Sequence, residues 1–149
     1  MDYDNLVGGI VELIRKAETD LPEDVINALN KSLKNEEGIA KIQLENILKN
    51  IDIAKKTNRP MCQDTGVQTF FVEIGKDFPF SSIIKDAITD GVKKATSEVP
   101  LRPNTIDPFT KVNHKDNVGE YIPAVTWDFC NGENCEITAI PKGGGSENM

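Results

Sequence analysis

Three short polar segments carry the side chains with chemistry to offer. The first is Cys62-Gln63-Asp64-Thr65-Gly66. A thiolate on a loop ahead of a strand can ligate iron, and the amide and carboxylate beside it can grip a polar substrate. The plainer alternative is a buried cysteine next to an Asp-capped turn. The second is Leu101-Arg102-Pro103-Asn104. A guanidinium on a long loop suits a carboxylate because its planar fork makes paired hydrogen bonds, although an isolated arginine is often just a solvated one. The third is Lys142-Gly143-Gly144-Gly145-Ser146-Glu147-Asn148. Glycines let backbone N–H groups come close to an anion. The lysine precedes the glycines, so this is not a phosphate loop. Standing alone, the run reads as a flexible linker or an expression scar.

Two further cysteines, Cys130 and Cys135, flank the turn Asn131-Gly132-Glu133-Asn134. They read as small, semi-buried hydrophobes of a hairpin. Their C-x4-C spacing also lies in the range of zinc sites, and Cys62 with His114, the only histidine, would complete a Cys3His set. That keeps a second functional class open, a non-enzymatic, zinc-stabilised binding module. The default for His114 is a solvated loop position.

The elements that must position these segments follow from periodicity. Leu6, Ile10, Leu13, Ile14 and Ala17 recur at helical spacing, and Asp20 with Pro22 marks a break and restart. Val25, Ile26, Leu29 and Leu33 give a second stripe, and Ile39, Ile42, Ile47, Leu48 and Ile51 a third, over about 37–56. All three are expected to face a core. Asn58-Arg59-Pro60 ends the third helix. Val67 to Ile74 is β-branched and aromatic and reads as a strand, and a helix capped by Ser81 or Ser82 should run to about Ser97. Residues 99–119 form a long loop, and strands follow at about 122–129 and 136–140. The fold class is therefore α+β, a helical N-terminal half (1–57) packed with a mostly antiparallel sheet from a mixed second half (58–149).

Composition narrows the partners. Of 149 residues, 38% are hydrophobic and 28% charged, the profile of a globular chain with a real core. The net charge of −7, from 24 acidic and 17 basic side chains, repels a phosphate backbone, so nucleic acid is not expected. No apolar run approaches the roughly 20 residues of a membrane span, and residues 1–9 lack the basic flank and apolar core of a secretory signal. Three cysteines suit buried thiols, nucleophiles or metal ligands in a reducing compartment, so the expected location is cytoplasmic.

In combination and in this order, the segments resemble the alpha region of the iron–sulfur-dependent class I fumarases and L-tartrate dehydratases. The resemblance is carried by Pro60-Met61-Cys62-Gln63-Asp64-Thr65-Gly66, Leu101-Arg102-Pro103-Asn104, the Asn113 to Asn117 loop, and Pro141-Lys142-Gly143-Gly144-Gly145-Ser146-Glu147-Asn148. It spans essentially the whole chain. It implies a hydro-lyase that adds or removes water across a small dicarboxylic acid, with fumarate/malate ahead of tartrate. It also implies a 4Fe–4S cluster held by three thiolates, its fourth iron left open as a Lewis acid. On this resemblance Cys62 is one cluster ligand, Gln63 and Asp64 contact the substrate end near the open iron, Arg102 pairs with a substrate carboxylate, and Gly145 offers a backbone contact. The family's other ligand cysteines and its proton-abstracting residue come later than a GGGSEN-type segment. The chain is therefore expected to be the N-terminal portion of the alpha domain, incomplete at the C-terminus and inactive alone, its glycine-rich end disordered. The remainder of the alpha region and a beta subunit or C-terminal domain would complete it, in a homo- or hetero-oligomer. Cys130, Cys135 and His114 match no ligand position of the family.

Overall fold

The computed structural model of the protein describes residues 2–147. Helix α1 (Tyr3–Thr19) starts where the Asp2 carboxylate accepts the Asn5 N–H at 2.9 Å, an acidic cap at the positive end of the helix. It buries Val7, Ile10, Val11 and Ile14, together with the polar Glu18 and Thr19. The buried stripe is thus turned relative to the expected one. Val7 and Val11 enter the core, whereas Leu13 and Ala17 line a side cleft with Leu21, Pro22 and Ile26.

Against α1 packs α4 (Ile84–Glu98), through Ile84, Ala87, Ile88, Val92 and Ala95. The two helices come close at Gly91, where a Cβ would sit 2.4 Å from Ile10 Cγ2. Ser81 and Ser82 do not cap this helix. They lie in a 3₁₀ turn, Ser81–Ile83, and the cap position falls to Ile83 with no side-chain bond.

Under the two helices lies β1 (Val67–Gly75), which turns Gln68, Phe70, Val72 and Ile74 into the core. Among the described residues the sheet has three strands in the order β2–β1–β3, with β2 (Ala124–Cys130) parallel and β3 (Cys135–Lys142) antiparallel to β1. The α+β class holds, but the sheet is mixed. The expected hairpin between β2 and β3 is replaced by a split pair with β1 slotted between them. The reason is physical. The most apolar strand takes the centre, where both edges are paired and one face is sealed. The turn Asn131–Asn134 arches over its end, with Gly75 N donating to Asn134 O at 2.8 Å and Asp77 N to Gly132 O at 3.0 Å.

Helices α2 (Glu23–Asn35) and α3 (Gly38–Thr57) correct the expectation that every stripe faces a core. They pack on each other. Of their residues α2 buries none and α3 only Ile51 and Ala54, which leaves Val25, Ile39, Ile42, Ile47 and Ile53 exposed. The outer face of the sheet is open too, at Phe71 and Ile140. No helix among the described residues is long and apolar enough to cross a membrane.

Candidate functional site

The site sits at the N-terminal end of β1. Asn58 adopts the left-handed conformation that stops α3, and Pro60 leads into the loop that carries Cys62. Met61 fixes this loop from both sides. Its N–H donates to Glu18 O at 2.9 Å, and its carbonyl accepts from Asn50 Nδ2 at 2.8 Å. The loop ends at Gly66, with φ +65° and no room for a side chain. A Cβ there would lie 2.2 Å from the Lys142 carbonyl carbon. Only glycine permits this approach, and it presses the cysteine loop against the start of the glycine-rich segment.

Cys62, Gln63 and Arg102 line one open cleft of about 630 Å³, together with Arg59, Pro60, Met61, Thr65 and Pro100. The Cys62 thiol is exposed. Among the described residues the Arg102 guanidinium has no hydrogen-bond or ion-pair partner, so its fork is open to a ligand. Its backbone is held firmly. Arg102 N donates to Thr65 Oγ1 at 3.0 Å, and Arg102 O accepts from Asn117 Nδ2 at 3.1 Å.

Asp64 and Gly145 are brought together, but on each other. Asp64 Oδ1 accepts the Gly66 N–H at 3.1 Å and Oδ2 the Gly145 N–H at 3.2 Å. The Gly145 N–H expected at a substrate thus reaches the carboxylate, and the pair staples the glycine turn to the cysteine loop. Gly144–Glu147 make one turn of helix, α5, where disorder was expected; Asn148 and Met149 lie outside the described residues.

Cys130 and Cys135 are elsewhere. They pair in register with Gly75 and Ile74, at the far end of β1, about 25 Å of strand from the Cys62 loop. Burial pushes both thiols up, with Glu73 adding to the rise at Cys130. The Cys3His set is therefore not assembled. Among the described residues no group of three or more His, Cys, Asp or Glu side chains is placed to hold a metal.

Sequence reasoning singled out the Asn113 to Asn117 loop but gave it no role. Asn117 is buried and makes three side-chain hydrogen bonds, two of them to the arginine segment. Its Oδ1 accepts from Asn104 N at 2.7 Å, and its Nδ2 donates to Thr96 Oγ1 and Arg102 O. Asn113 Nδ2 donates to Pro103 O at 2.9 Å, so the Asn113 to Asn117 loop is a clamp on the arginine segment. Glu18 and Gln68 were missed. Gln68 Nε2 donates to Glu18 Oε1 at 2.9 Å under the loop. Burial pushes the Glu18 carboxyl up to about 7; the Gln68 bond pulls it back in part, and the Asp64 charge raises it again. The signal was available, since Glu18 falls four residues after Ile14 on the buried stripe.

Comparison with known proteins adds to this geometry. Residues 8–149 match the protein family described as Fumarate hydratase (Fumerase). The protein named "Putative L(+)-tartrate dehydratase subunit alpha" of Methanocaldococcus jannaschii is 49% identical over 145 residues, 94% of this chain and 51% of that protein. The L(+)-tartrate dehydratase subunit alpha of Escherichia coli (strain K12) is 38% identical over 130 residues, 85% of this chain and 43% of that protein. The chain therefore spans about half the length of the relatives it matches.

Proposed function

The chain belongs to the fumarate hydratase (Fumerase) family, and from that premise we propose that it supplies one wall of the active site of a hydro-lyase acting on a small dicarboxylic acid. The observation that carries this reading is the shared cleft. An exposed thiol at Cys62, the Gln63 amide and an unpartnered guanidinium at Arg102 line one opening, on loops locked to each other by Thr65, Asn117 and the Asp64–Gly145 bond. Arg102 would bind one substrate carboxylate through paired hydrogen bonds. Gln63 would donate to and accept from the substrate's polar groups. Asp64, held at both oxygens, keeps a fixed position beside them.

The donor set fits one corner of a 4Fe–4S cluster. Cys62 offers a thiolate at the cleft, and no second thiol lies near it among the described residues. Cys62 would thus be one ligand of three, with the others supplied by further polypeptide. When bound, such a cluster supplies an open iron as a Lewis acid. The exposed apolar faces of α2–α3 and of the outer sheet are surfaces that the remainder of the alpha region, or a beta subunit, would cover. The relatives named as alpha subunits and about twice as long support that part of the reading. For the substrate, fumarate/malate is the first reading; the relatives' names favour tartrate as the second.

Anaerobic reconstitution with iron and sulfide tests the proposal, in the chain alone and in the chain combined with the remaining alpha and beta polypeptides of a relative. Fumarate hydration and L-tartrate dehydration are then both measured. Turnover is expected only in the assembly, and Cys62→Ser should abolish it. Arg102→Lys should lower kcat/KM about ten- to a hundredfold through KM, since it keeps the charge and loses the fork, about 1.5–3 kcal/mol. A stable cluster with turnover in the chain alone, or an unchanged Arg102→Lys enzyme, would refute the assignment.

A further inference from the structure

Beneath the Cys62 loop is a buried acid–amide contact that the proposed chemistry does not use. Gln68 points from β1 into the core and is 2% exposed. Its Nε2 donates to Glu18 Oε1 at 2.9 Å and to Thr65 O at 3.2 Å. Two hydrogens and two acceptors fix the amide's orientation, because turning it over would set Oε1 against both acceptors. Gln68 Oε1 is then buried without a partner, which a native interior rarely tolerates. Of the groups bonded to Gln68, Thr65 contributes a carbonyl, with no hydrogen to give. Glu18 has one to give when it is protonated.

The surroundings of Glu18 favour that form. It is 5% exposed, and it lies in the last turn of α1, where the free carbonyls disfavour a negative charge. Asp64 adds a second negative charge nearby. The charged groups on the packed elements give no counterion. Arg15 bonds Glu12 and the Glu98 carbonyl, Lys55 bonds Asp20, Lys56 bonds Asp52, and Arg59 and Arg102 line the cleft. Among the described residues Glu18 has no ion pair. The raised carboxyl, at about 7, agrees with this geometry.

We propose that Glu18 is a positioning residue that works as the neutral acid, accepting from Gln68 Nε2 and donating its own proton to Gln68 Oε1, so that the closed pair holds Thr65 and, through it, the Arg102 backbone. The linkage is continuous: Gln68 Nε2 to Thr65 O, and Arg102 N to Thr65 Oγ1. Ionisation removes the hydrogen and leaves two oxygens facing each other, which opens the pair and loosens the floor of the cleft. That Thr65 and Arg102 belong to a catalytic site rests on the function proposed above; the proton on Glu18 does not.

The decisive comparison is Glu18→Gln against Glu18→Leu and the unsubstituted chain. Glutamine has the shape of the neutral acid and a permanent N–H for Gln68 Oε1, whereas leucine offers nothing. From about pH 5 to about pH 8 the unfolding constant of the unsubstituted chain should rise about fifty- to a hundredfold relative to Glu18→Gln. The sign follows from a folded pKa above the unfolded one: the stability is present at acid pH and lost as pH rises through about 7. Glu18→Leu should be destabilised at both pH values. Should Glu18→Gln fail to fold, a carbon-13 titration of the Glu18 carboxyl in the unsubstituted chain still decides, with a midpoint near neutrality expected. A Glu18→Gln chain that tracks the unsubstituted one across this range, or a carboxyl midpoint in the ordinary glutamate range, overturns the proposal without touching the hydro-lyase reading. In the assembled enzyme, KM should rise with pH in the unsubstituted form and stay flat in Glu18→Gln; identical KM profiles would overturn the positioning role.

Discussion

The α1–α4–β1 core and the α2–α3 hairpin draw on the same residue types and reach opposite ends. Both carry isoleucine, leucine and valine at helical spacing. In the first, Ile14 and Ile88 are sealed from water and Phe70 fills the space between helices and sheet; in the second, Ile39 is 78% and Ile42 55% exposed. Periodicity shows which face of a helix is apolar; it does not show what lies opposite. The sealed region also carries the loops of the site, braced by close backbone approaches. The hairpin touches that region lightly, through α1 and α3, and through the Lys55–Asp20 ion pair at 2.7 Å.

Truncation gives the largest test of this contrast. Phe70→Ala should cost about 3–5 kcal/mol, the range for emptying a fully packed aromatic site. Ile42→Ala on the hairpin should stay within about 0.5 kcal/mol, as for a surface site. Urea melts of both variants measure the two values. A large cost at Ile42 would mean that the hairpin is covered in solution, and the contrast would fail.

Two glycines sharpen it further. Gly66 and Gly38 have nearly the same backbone, φ +65° and +58°. A Cβ at Gly66 meets the Lys142 carbonyl at 2.2 Å, while one at Gly38 meets nothing within 4 Å. Gly38→Ala should therefore cost only the left-handed penalty, about 1–2 kcal/mol. Gly66→Ala should cost that and more, because the cysteine loop must part from the glycine-rich segment. It should also weaken substrate binding in the assembly, which Gly38→Ala should leave unchanged. Equal melting shifts would show that the close approach at Gly66 is relaxed at no cost.

What the sequence made legible, and what it hid, divides along the same line. Helices α1 to α4 and the three strands were readable because local signals decide them: the Asp20–Pro22 break, the Asn58–Pro60 stop and the β-branched run after Gly66. The cysteine, arginine and glycine segments were readable as a set, and the structure does bring Cys62, Gln63 and Arg102 to one cleft. Strand order was hidden, since the Asn131–Asn134 turn looks like a hairpin until β1 competes for the space between its arms. The contacts made by Glu18, Gln68 and Asn117 were hidden for a similar reason, although the burial of Glu18 was readable from its place four residues after Ile14. The Glu18–Gln68 bond spans 50 residues and the Asn117 bonds 13 to 21, and spacing along one helix or strand cannot register contacts of that kind. Gly145 was legible by type but not by partner, because its N–H reaches back 81 residues to Asp64.

The smallest effect sets the two regions against each other in pH. In the core, the Glu18 carboxyl is raised, so its contribution is present at acid pH and fades as pH rises through about 7. On the hairpin the sign reverses. The Lys55 ammonium beside Asp20 holds that carboxyl below its usual range, so its contribution is present above the unfolded carboxylate pKa and is lost as pH falls. The pair is largely solvated, and Lys55→Ala should cost about 0.2–1 kcal/mol near neutrality and nothing once Asp20 is protonated. Hydrogen exchange resolved by segment reads both at once. On going from about pH 8 to about pH 4, after correction for intrinsic exchange, amides of β1 around Gln68 should become more protected while those of α3 around Lys55 become less so. Lys55→Ala should erase the second trend and leave the first. If the two regions shifted together instead, the hairpin would be part of the same cooperative unit as the core, and its exposed isoleucines would need another explanation than a loosely held pair of helices.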